Sequence, residues 1–546
     1  MLDILLAIAL IAQADPAAQT TPSSQTAQSP AVGNKTFISV PSREAQKHLV
    51  GEWPALRLSS AKDRGTFFSG IKVAVTVDTH GAILSAVASR EVDGEAKVPP
   101  QAFEEAEAVV RDLHYTPFER GGRPVAVKFD QYVGLLPPEI TPARHIPFPK
   151  VKDLKAIRIS FERTACLGSC PAYSVTVTGD GSVSYEGRYQ VAFLGAHRGS
   201  VSAHNAVELL RLFEEADFFS LNDEYRMGFS DAATRTITIE IDGRRKSVVD
   251  YVGLEAGMPL SVANLETAID RLSGVERWTH GNAETLGGLQ AENWDFKSPE
   301  AAATLVRVIQ KGDASVVRDL VASGVPLHGN EELGPALVEA GYRGNPVMVQ
   351  ALLKAGAAAD LPALDIALVV AASAGKVESF RLLLNSGARK DARDSYGRTL
   401  LMAAAASGSP EMVKEVLRLK PDVNAASQLP NGPENDRDRS QEGFTALMAA
   451  VSSRDYDVPP EGVDRIEVVR LLLQSGANPN LRNHDGDTAL IFCANSTDMA
   501  LLLIKAGADV NVEDNQGRTA LSNTYDKDLQ RVLREHGAIG KAADEK

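Results

Sequence analysis

Cysteine is scarce in this chain, with three in 546 residues, so no disulfide framework holds the whole molecule together. Long apolar runs are also missing. Beyond a run of eight near the start, Ile4 to Ile11, nothing approaches the roughly 20 residues that a membrane-spanning helix needs. Basic clusters are lacking too. Lys plus Arg number 57 against 71 Asp plus Glu, a net charge of −14, which disfavours nucleic acid, because phosphate contacts need grouped cations. There is no phosphate-binding Gly-rich loop, no G-x-S-x-G, no H-E-x-x-H and no zinc-type cluster, and the ten His are scattered without ligand spacing. The expectation is a chain that is not an enzyme and holds no cofactor and no metal. What remains is ordinary globular composition, 44% apolar and 23% charged, which excludes a long disordered or collagen-like chain. The length implies three to four domains.

Ala12-Gln13-Ala14 follows the first apolar run in the A-x-A pattern of a signal peptidase site. Asp3 stands where a Lys or Arg is usual. Residues 1–14 are read as a signal peptide, which places the protein in the periplasm or outside the cell, with no integral span in the mature chain. Residues 15–35, rich in Ala, Gln, Ser, Thr and Pro, cannot bury enough apolar surface to fold and are expected to be a disordered linker.

From about 36 to 140 the pattern is α+β. Val73 to Asp78 and Ala82 to Val87 alternate as strands around a turn at Thr79-His80-Gly81. Pro100 to Leu113 has Phe103, Ala106, Val109, Val110 and Leu113 on one helical face, and Gly121-Gly122-Arg123-Pro124 leads into a strand at Val125 to Phe129. Asp78, Gly81, Tyr115-Thr116-Pro117 and Gly122-Arg123-Pro124-Val125 resemble the C-terminal domain of TonB-type energy transducers. The resemblance implies a small mixed fold that contacts envelope partners by strand pairing, or serves as a spacer. The lasting N-terminal anchor and the long Pro-rich spacer of a transducer are missing, so energy transduction is not expected.

Residues 150–285 read as a second α+β domain. Hairpins are expected around Gly179-Asp180-Gly181 and Asp242-Gly243, and helices over Ala203 to Ala216 and Leu260 to Leu272. Cys166-Leu167-Gly168-Ser169-Cys170-Pro171-Ala172-Tyr173, Gly179-Asp180-Gly181, and Val249-Asp250-Tyr251 with Pro259 downstream resemble an uncharacterised bacterial family of unknown function. Fully extended, the Cys166 and Cys170 Cα atoms would lie about 13–14 Å apart, against the roughly 4.4–6.8 Å of a disulfide. Gly168-Ser169 permits the turn that closes this distance, and in an oxidising compartment nearby thiols pair. A structural disulfide is expected, with a redox dithiol or a metal site as the alternatives. Asp223, Glu224, Asp231 and Asp250 are the acidic candidates of this stretch, read as surface groups.

Residues 298–538 repeat. Gly-x-Thr-(Ala/Leu)-Leu starts at Gly397, Gly443, Gly486 and Gly517, the last two 31 residues apart, and a Leu-rich stretch ending in Gly recurs at Gly324, Gly356, Gly387, Gly476, Gly507 and Gly537. Asp394 to Gly397, Asn483 to Gly486 and Asp514 to Gly517 suit type I turns. Ser298-Pro299, Asn345-Pro346 and Ser409-Pro410 read as helix starts. Thr-Ala-Leu-x-x-Ala and Lys505-Ala506-Gly507-Ala508-Asp509-Val510-Asn511 resemble ankyrin repeats, about seven units with polar insertions at Gln428–Glu442 and Ser453–Asp464. Cys493 is read as a buried core thiol. The family resemblance implies a protein partner held on the turn tips and first helices, with Tyr396, Arg398, Phe444, His484, Asp485, Asp487, Gln516 and Arg518 as the binding residues. Residues 539–546 form a tail.

The expected architecture is multidomain: two small α+β domains, then an all-α ankyrin-type solenoid with short turn hairpins. The expected function is non-catalytic protein interaction in the bacterial envelope. An envelope enzyme or redox protein using the cysteine pair, and an immunity or inhibitor protein, are the alternatives.

Overall fold

The structure is a computed structural model that describes residues 37–40, 42–50, 54–57, 70–92, 98–120, 123–228, 231–329, 333–428, 442–452, 463–493 and 496–543. The expected leader and tether, and all but the ends of the two insertions, lie outside these residues.

The first domain is a five-stranded sheet built from β1 (Ile38–Ser39), β2 (Ala55–Arg57), β3 (Gly70–Val77), β4 (Ile83–Val92) and β5 (Val127–Leu136). The order is β1-β5-β3-β4, with β2 also on β5. Strands β3 and β5 run antiparallel, whereas β1 and β2 run parallel to β5. Alternation explains the layering: Val73, Val75 and Val77 point inward to meet Ala102, Ala106 and Val110 of the helix Pro100–Arg111. The expected hairpin closes because the Asp78 Oδ1 accepts the His80 and Ala82 amides at 2.8 and 3.0 Å. Gly81 has φ +88°, and a Cβ there would lie 1.9 Å from the Tyr115 carbonyl oxygen, so the turn and the Tyr115 segment are mutually fitted. On the outer edge of the sheet, Glu107 Oε1 accepts the Ala88 amide at 2.9 Å and Arg111 donates to the Ala86 carbonyl at 3.1 Å. The helix thereby occupies backbone groups that an edge strand would otherwise offer to another chain.

The second sheet has seven strands: β6 (Arg158–Arg163), β7 (Ala172–Thr178), β8 (Ser182–Tyr189), β9 (Gly195–Ser200), β10 (Glu224–Arg226), β11 (Arg235–Ile241) and β12 (Arg244–Tyr251). Their order is β9-β8-β7-β6-β11-β12-β10, antiparallel except for β10 with β12. Ile159, Phe161, Val175, Val177, Ile237, Ile239 and Val248 are buried on one face, in one core with Leu209 and Phe213 of the helix Ala203–Glu215 and Val262, Leu265 and Ile269 of the helix Leu260–Ser273. The alternate positions form the open face.

Among the described residues seven helix pairs follow. The first helices are Pro299–Lys311, Ala336–Arg343, Leu361–Ser373, Leu400–Ser407, Ala446–Ser452, Ala489–Phe492 and Ala520–Asn523. The partners run from Ala314–Ala322 to Lys527–Glu535. The expected starts hold: Ser298, Asn345 and Ser409 accept backbone amides of the first turn. In the third unit the tip turn is replaced by helix, because Leu361–Ser373 begins on the Asp360 cap and is 13 residues long.

Successive units are sewn together by asparagines. Asn480 donates from Nδ2 to the Gly507 carbonyl and accepts the Asp509 amide, both at 2.8 Å. Asn424 does the same to Gly476 and Asn478, and Asn511 to Gly537 and Ile539.

The second sheet and the solenoid share one continuous hydrophobic core running from Ile157 to Ala542, while the first domain has its own. At the junction Trp278 is buried and stacks on Tyr185 at 5.1 Å. Arg307 and Lys311 of the first repeat helix donate to the Ala192 and Gln190 carbonyls at 3.0 and 2.7 Å. No helix among the described residues is long and apolar enough to cross a membrane.

Candidate functional site

The solenoid presents turn tips, and those at Asp394, Asn483 and Asp514 each have their backbone fixed by that one side chain. Asp394 Oδ1 accepts the Tyr396 and Arg398 amides, both at 2.9 Å, and Asp514 Oδ1 accepts the Gln516 and Arg518 amides, both at 2.8 Å. Neighbouring tips are tied to each other. The His484 amide donates to the Glu442 carbonyl, the Asn515 amide to the Asp485 carbonyl, and Asn515 Nδ2 to the His484 carbonyl, each at 2.9 Å. The tips at Glu442, His484 and Asn515 are therefore held at fixed spacing, and the Tyr396 tip is held from within by Asp394.

Six of the eight expected binding residues reach the surface of the solenoid at least in part. Tyr396 is 44% exposed, and the Arg398 guanidinium lies 5.4 Å from its ring centroid while pairing with Asp394 at 2.6 Å. His484 and Gln516 are exposed, and Asp485 and Arg518 are half-buried. The other two are corrections. Phe444 is 8% exposed and packs against Phe492, ring centroids 5.3 Å apart; the residue after the tip glycine turns inward here, because an apolar ring gains more from the core than from solvent. Asp487 is 6% exposed, turned in beside Asp514 with Arg518 Nη2 at 3.7 Å. Burial, and then the Asp514 charge, push the Asp487 carboxyl upward. Asp514 is also buried, which alone would raise it, yet the amide and guanidinium donors around it bring it below the usual range.

In the middle domain Cys166 and Cys170 are paired at disulfide distance, with Cα atoms 5.5 Å apart. Gly168, at φ +139°, makes the turn between them. Leu167 stands exposed at the tip of this loop. Cys493 is buried, and its thiol donates to the Ser496 carbonyl at 3.3 Å.

The strands that enter and leave the cysteine loop end in a charge cluster that motif reading missed. Arg163 pairs with Asp270 at 2.9 Å, and the Tyr173 hydroxyl donates to the same carboxylate at 2.5 Å. Arg235 bridges Asp250 at 2.9 Å and Glu266 at 3.3 Å. Asp250 is 3% exposed and Glu266 4%. Burial first, then the Asp250 charge, raise the Glu266 carboxyl to about 8. Burial also raises Asp270, opposed by Arg163. Of the four acidic candidates only Asp250 is here. Asp223 is exposed and pairs with Lys246 at 2.6 Å, and Glu224 and Asp231 face solvent. The signal for Glu266 was present in the sequence: it falls on the buried stripe of its helix with Val262, Leu265 and Ile269, and a carboxyl on an apolar stripe marks a partnered group.

Comparison with known proteins gives matches in the middle and C-terminal parts of the chain. Residues 157–273 match the family model for a domain of unknown function, DUF6438. Residues 337–427, 368–459 and 461–528 match the model for ankyrin repeats in three copies. An ankyrin repeat-containing protein of Treponema pallidum is 28% identical over 127 residues, 23% of this chain and 35% of that protein. The mitochondrial disaggregase of Bos taurus is 29% identical over 160 residues, 25% of this chain and 22% of that protein. The chain thus spans 35% and 22% of the length of these two relatives. The crystal structure of the human ASB11 ankyrin repeat domain aligns with 43% of this chain and 98% of its own length, at 20% identity and a TM-score of 0.35. The C-terminal half of the chain carries ankyrin repeats, and the middle domain is a DUF6438 domain.

Proposed function

We propose that the protein is a non-catalytic interaction protein of the bacterial envelope, whose ankyrin stack holds a protein partner along its turn tips. The observation that carries this reading is the set of fixed tips: Tyr396, Arg398, His484, Asp485, Gln516 and Arg518 vary in chemistry while the backbone of each tip is held by its own turn or by a neighbouring tip. A preordered surface loses little entropy on docking, and Tyr and Arg are frequent anchors at protein interfaces. Export is part of the proposal, supported by the apolar run with Ala12-Gln13-Ala14 and by a close cysteine pair, which suits an oxidising compartment. The TonB-like pattern of the first domain supports an envelope setting.

The test is site-specific photocrosslinking in cells with the full chain. A crosslinker at position 396, 484 or 516 should give one common adduct, and one at Gln350, exposed on a second helix, should not. Adducts that do not depend on position would end the reading. Fractionation of the same cells tests export, with the mature chain expected in the periplasm or medium.

A further inference from the structure

The DUF6438 sheet is covered by helices on one face, and its open face is chemically ordered. In register across five strands, Ser184 stands opposite Thr176, Thr176 opposite Ser160, Ser160 opposite Thr238, and Thr238 opposite Ser247. The hydroxyls of Ser160 and Thr176 bond each other at 3.0 Å, and those of Thr238 and Ser247 at 2.7 Å. A hydroxyl has one proton and two lone pairs, so one bond between two hydroxyls leaves each pair with further donor and acceptor capacity.

One row along, Arg158 is opposite Glu240, and Glu240 is opposite Arg245. Neither guanidinium has a side-chain partner among the described residues. Two cations against one carboxylate leave this end of the face net positive. At the other end Glu162 is already paired, with Arg188. A hollow of about 330 Å³ lies over these rows, reaching from Arg158 and Arg245 across Ser160 and Thr238 to Glu162. That is the volume of a small-ligand site.

We propose that this hollow binds a hydroxylated carboxylate, a sugar acid, with its carboxylate on Arg158 and Arg245 and its ring hydroxyls along Ser160, Thr238 and Ser247. Guanidinium forks match carboxylates in a bidentate, charge-assisted way. A row of hydroxyls exchanges donors and acceptors with a polyol, and a ligand without hydroxyls leaves that row unused. The side chains in these rows are polar, which favours a hydrated ligand over an apolar one. The site shares no residue with the solenoid tips, so it stands or falls separately from the docking reading.

The experiment is calorimetric titration of the full-length chain with D-glucuronate, glucose, acetate and inorganic phosphate. Glucuronate should bind saturably, with glucose and acetate each at least about tenfold weaker, because each offers only half of the recognition. The double variant Arg158→Gln, Arg245→Gln should bring glucuronate down to the level of glucose. Arg244→Gln should leave it unchanged, because that side chain lies on the covered face, 5.2 Å from the Phe219 ring centroid. Absence of a saturable glucuronate signal would overturn the proposal, as would equal binding by the double variant. Phosphate binding as tightly as glucuronate would reduce the hollow to a plain anion site and overturn it too.

Discussion

Glu266 shows how much a single carboxyl can carry. Its pKa in the folded protein is about 8, raised by burial and then by Asp250, against about 4.3 for an exposed glutamate. Between these values the native state holds a proton that the unfolded chain has released, so stability falls as pH rises through this window and levels off above about 8. The slope reaches on the order of 1.4 kcal/mol per pH unit at most. Glu266→Gln keeps the shape, removes the titration and should flatten the pH dependence of urea unfolding from pH 5 to 8. An unchanged slope in that variant would show that another group is responsible. The sequence revealed the helix around Glu266 and its apolar stripe, but not the company it keeps, since Asp250 and Arg235 arrive from strands distant in the chain. Phe444 and Asp487 failed as surface residues for a related reason. A turn motif states where the backbone bends, while the choice between core and solvent for the adjoining side chain depends on Phe492 and Asp514 in other units.

At the scale of elements, most of the repeat was legible, because turn residues, caps and Leu-rich faces are local signals. Gly397, Gly486 and Gly517 sit at φ +68°, +83° and +72°, where glycine is the residue without steric cost. The third unit was harder to read, since a helical turn stands where its neighbours have a hairpin. The links between units were legible only in part: Asn511 closes the repeat end that starts at Lys505, and Asn480 stands at the same place after Gly476, yet the sequence does not say that each reaches into the next unit. Asn480→Ala removes two inter-unit hydrogen bonds and leaves the Gly507 carbonyl and Asp509 amide without them. Both groups lie near the surface, where water can replace part of the loss, so the expected cost is about 1–2 kcal/mol. Hydrogen exchange should show faster opening of the helices after Asn480 than of those before Phe380. Uniform acceleration along the stack would mean that the units are not coupled through this side chain.

For the whole molecule, the shared core changes how the domains should be counted. A repeat stack needs a covered end, and here the middle domain, with the short helices that follow the DUF6438 match, covers the first one. Trp278 and Leu289 belong to the same core as Leu305 and Val316, and Gly281 lies so close to Val316 that a Cβ would be 3.1 Å from it. The first domain is attached differently, through polar contacts such as the Ile140 amide to the Gly257 carbonyl at 2.8 Å and the Leu260 amide to Glu139 at 3.1 Å. Calorimetry of the full chain should therefore resolve a smaller transition for the first domain and one larger transition for everything from Ile157 onward. Trp278→Ala should lower the larger transition alone, by about 3–5 kcal/mol, as expected when a buried ring is deleted from a packed core. The helices at Pro299–Lys311 and Ala336–Arg343 should lose hydrogen-exchange protection together with β8 and β9. If the sheet loosened while those helices kept their protection, the middle domain and the stack would be separate folding units, and the end of the solenoid would need another cover.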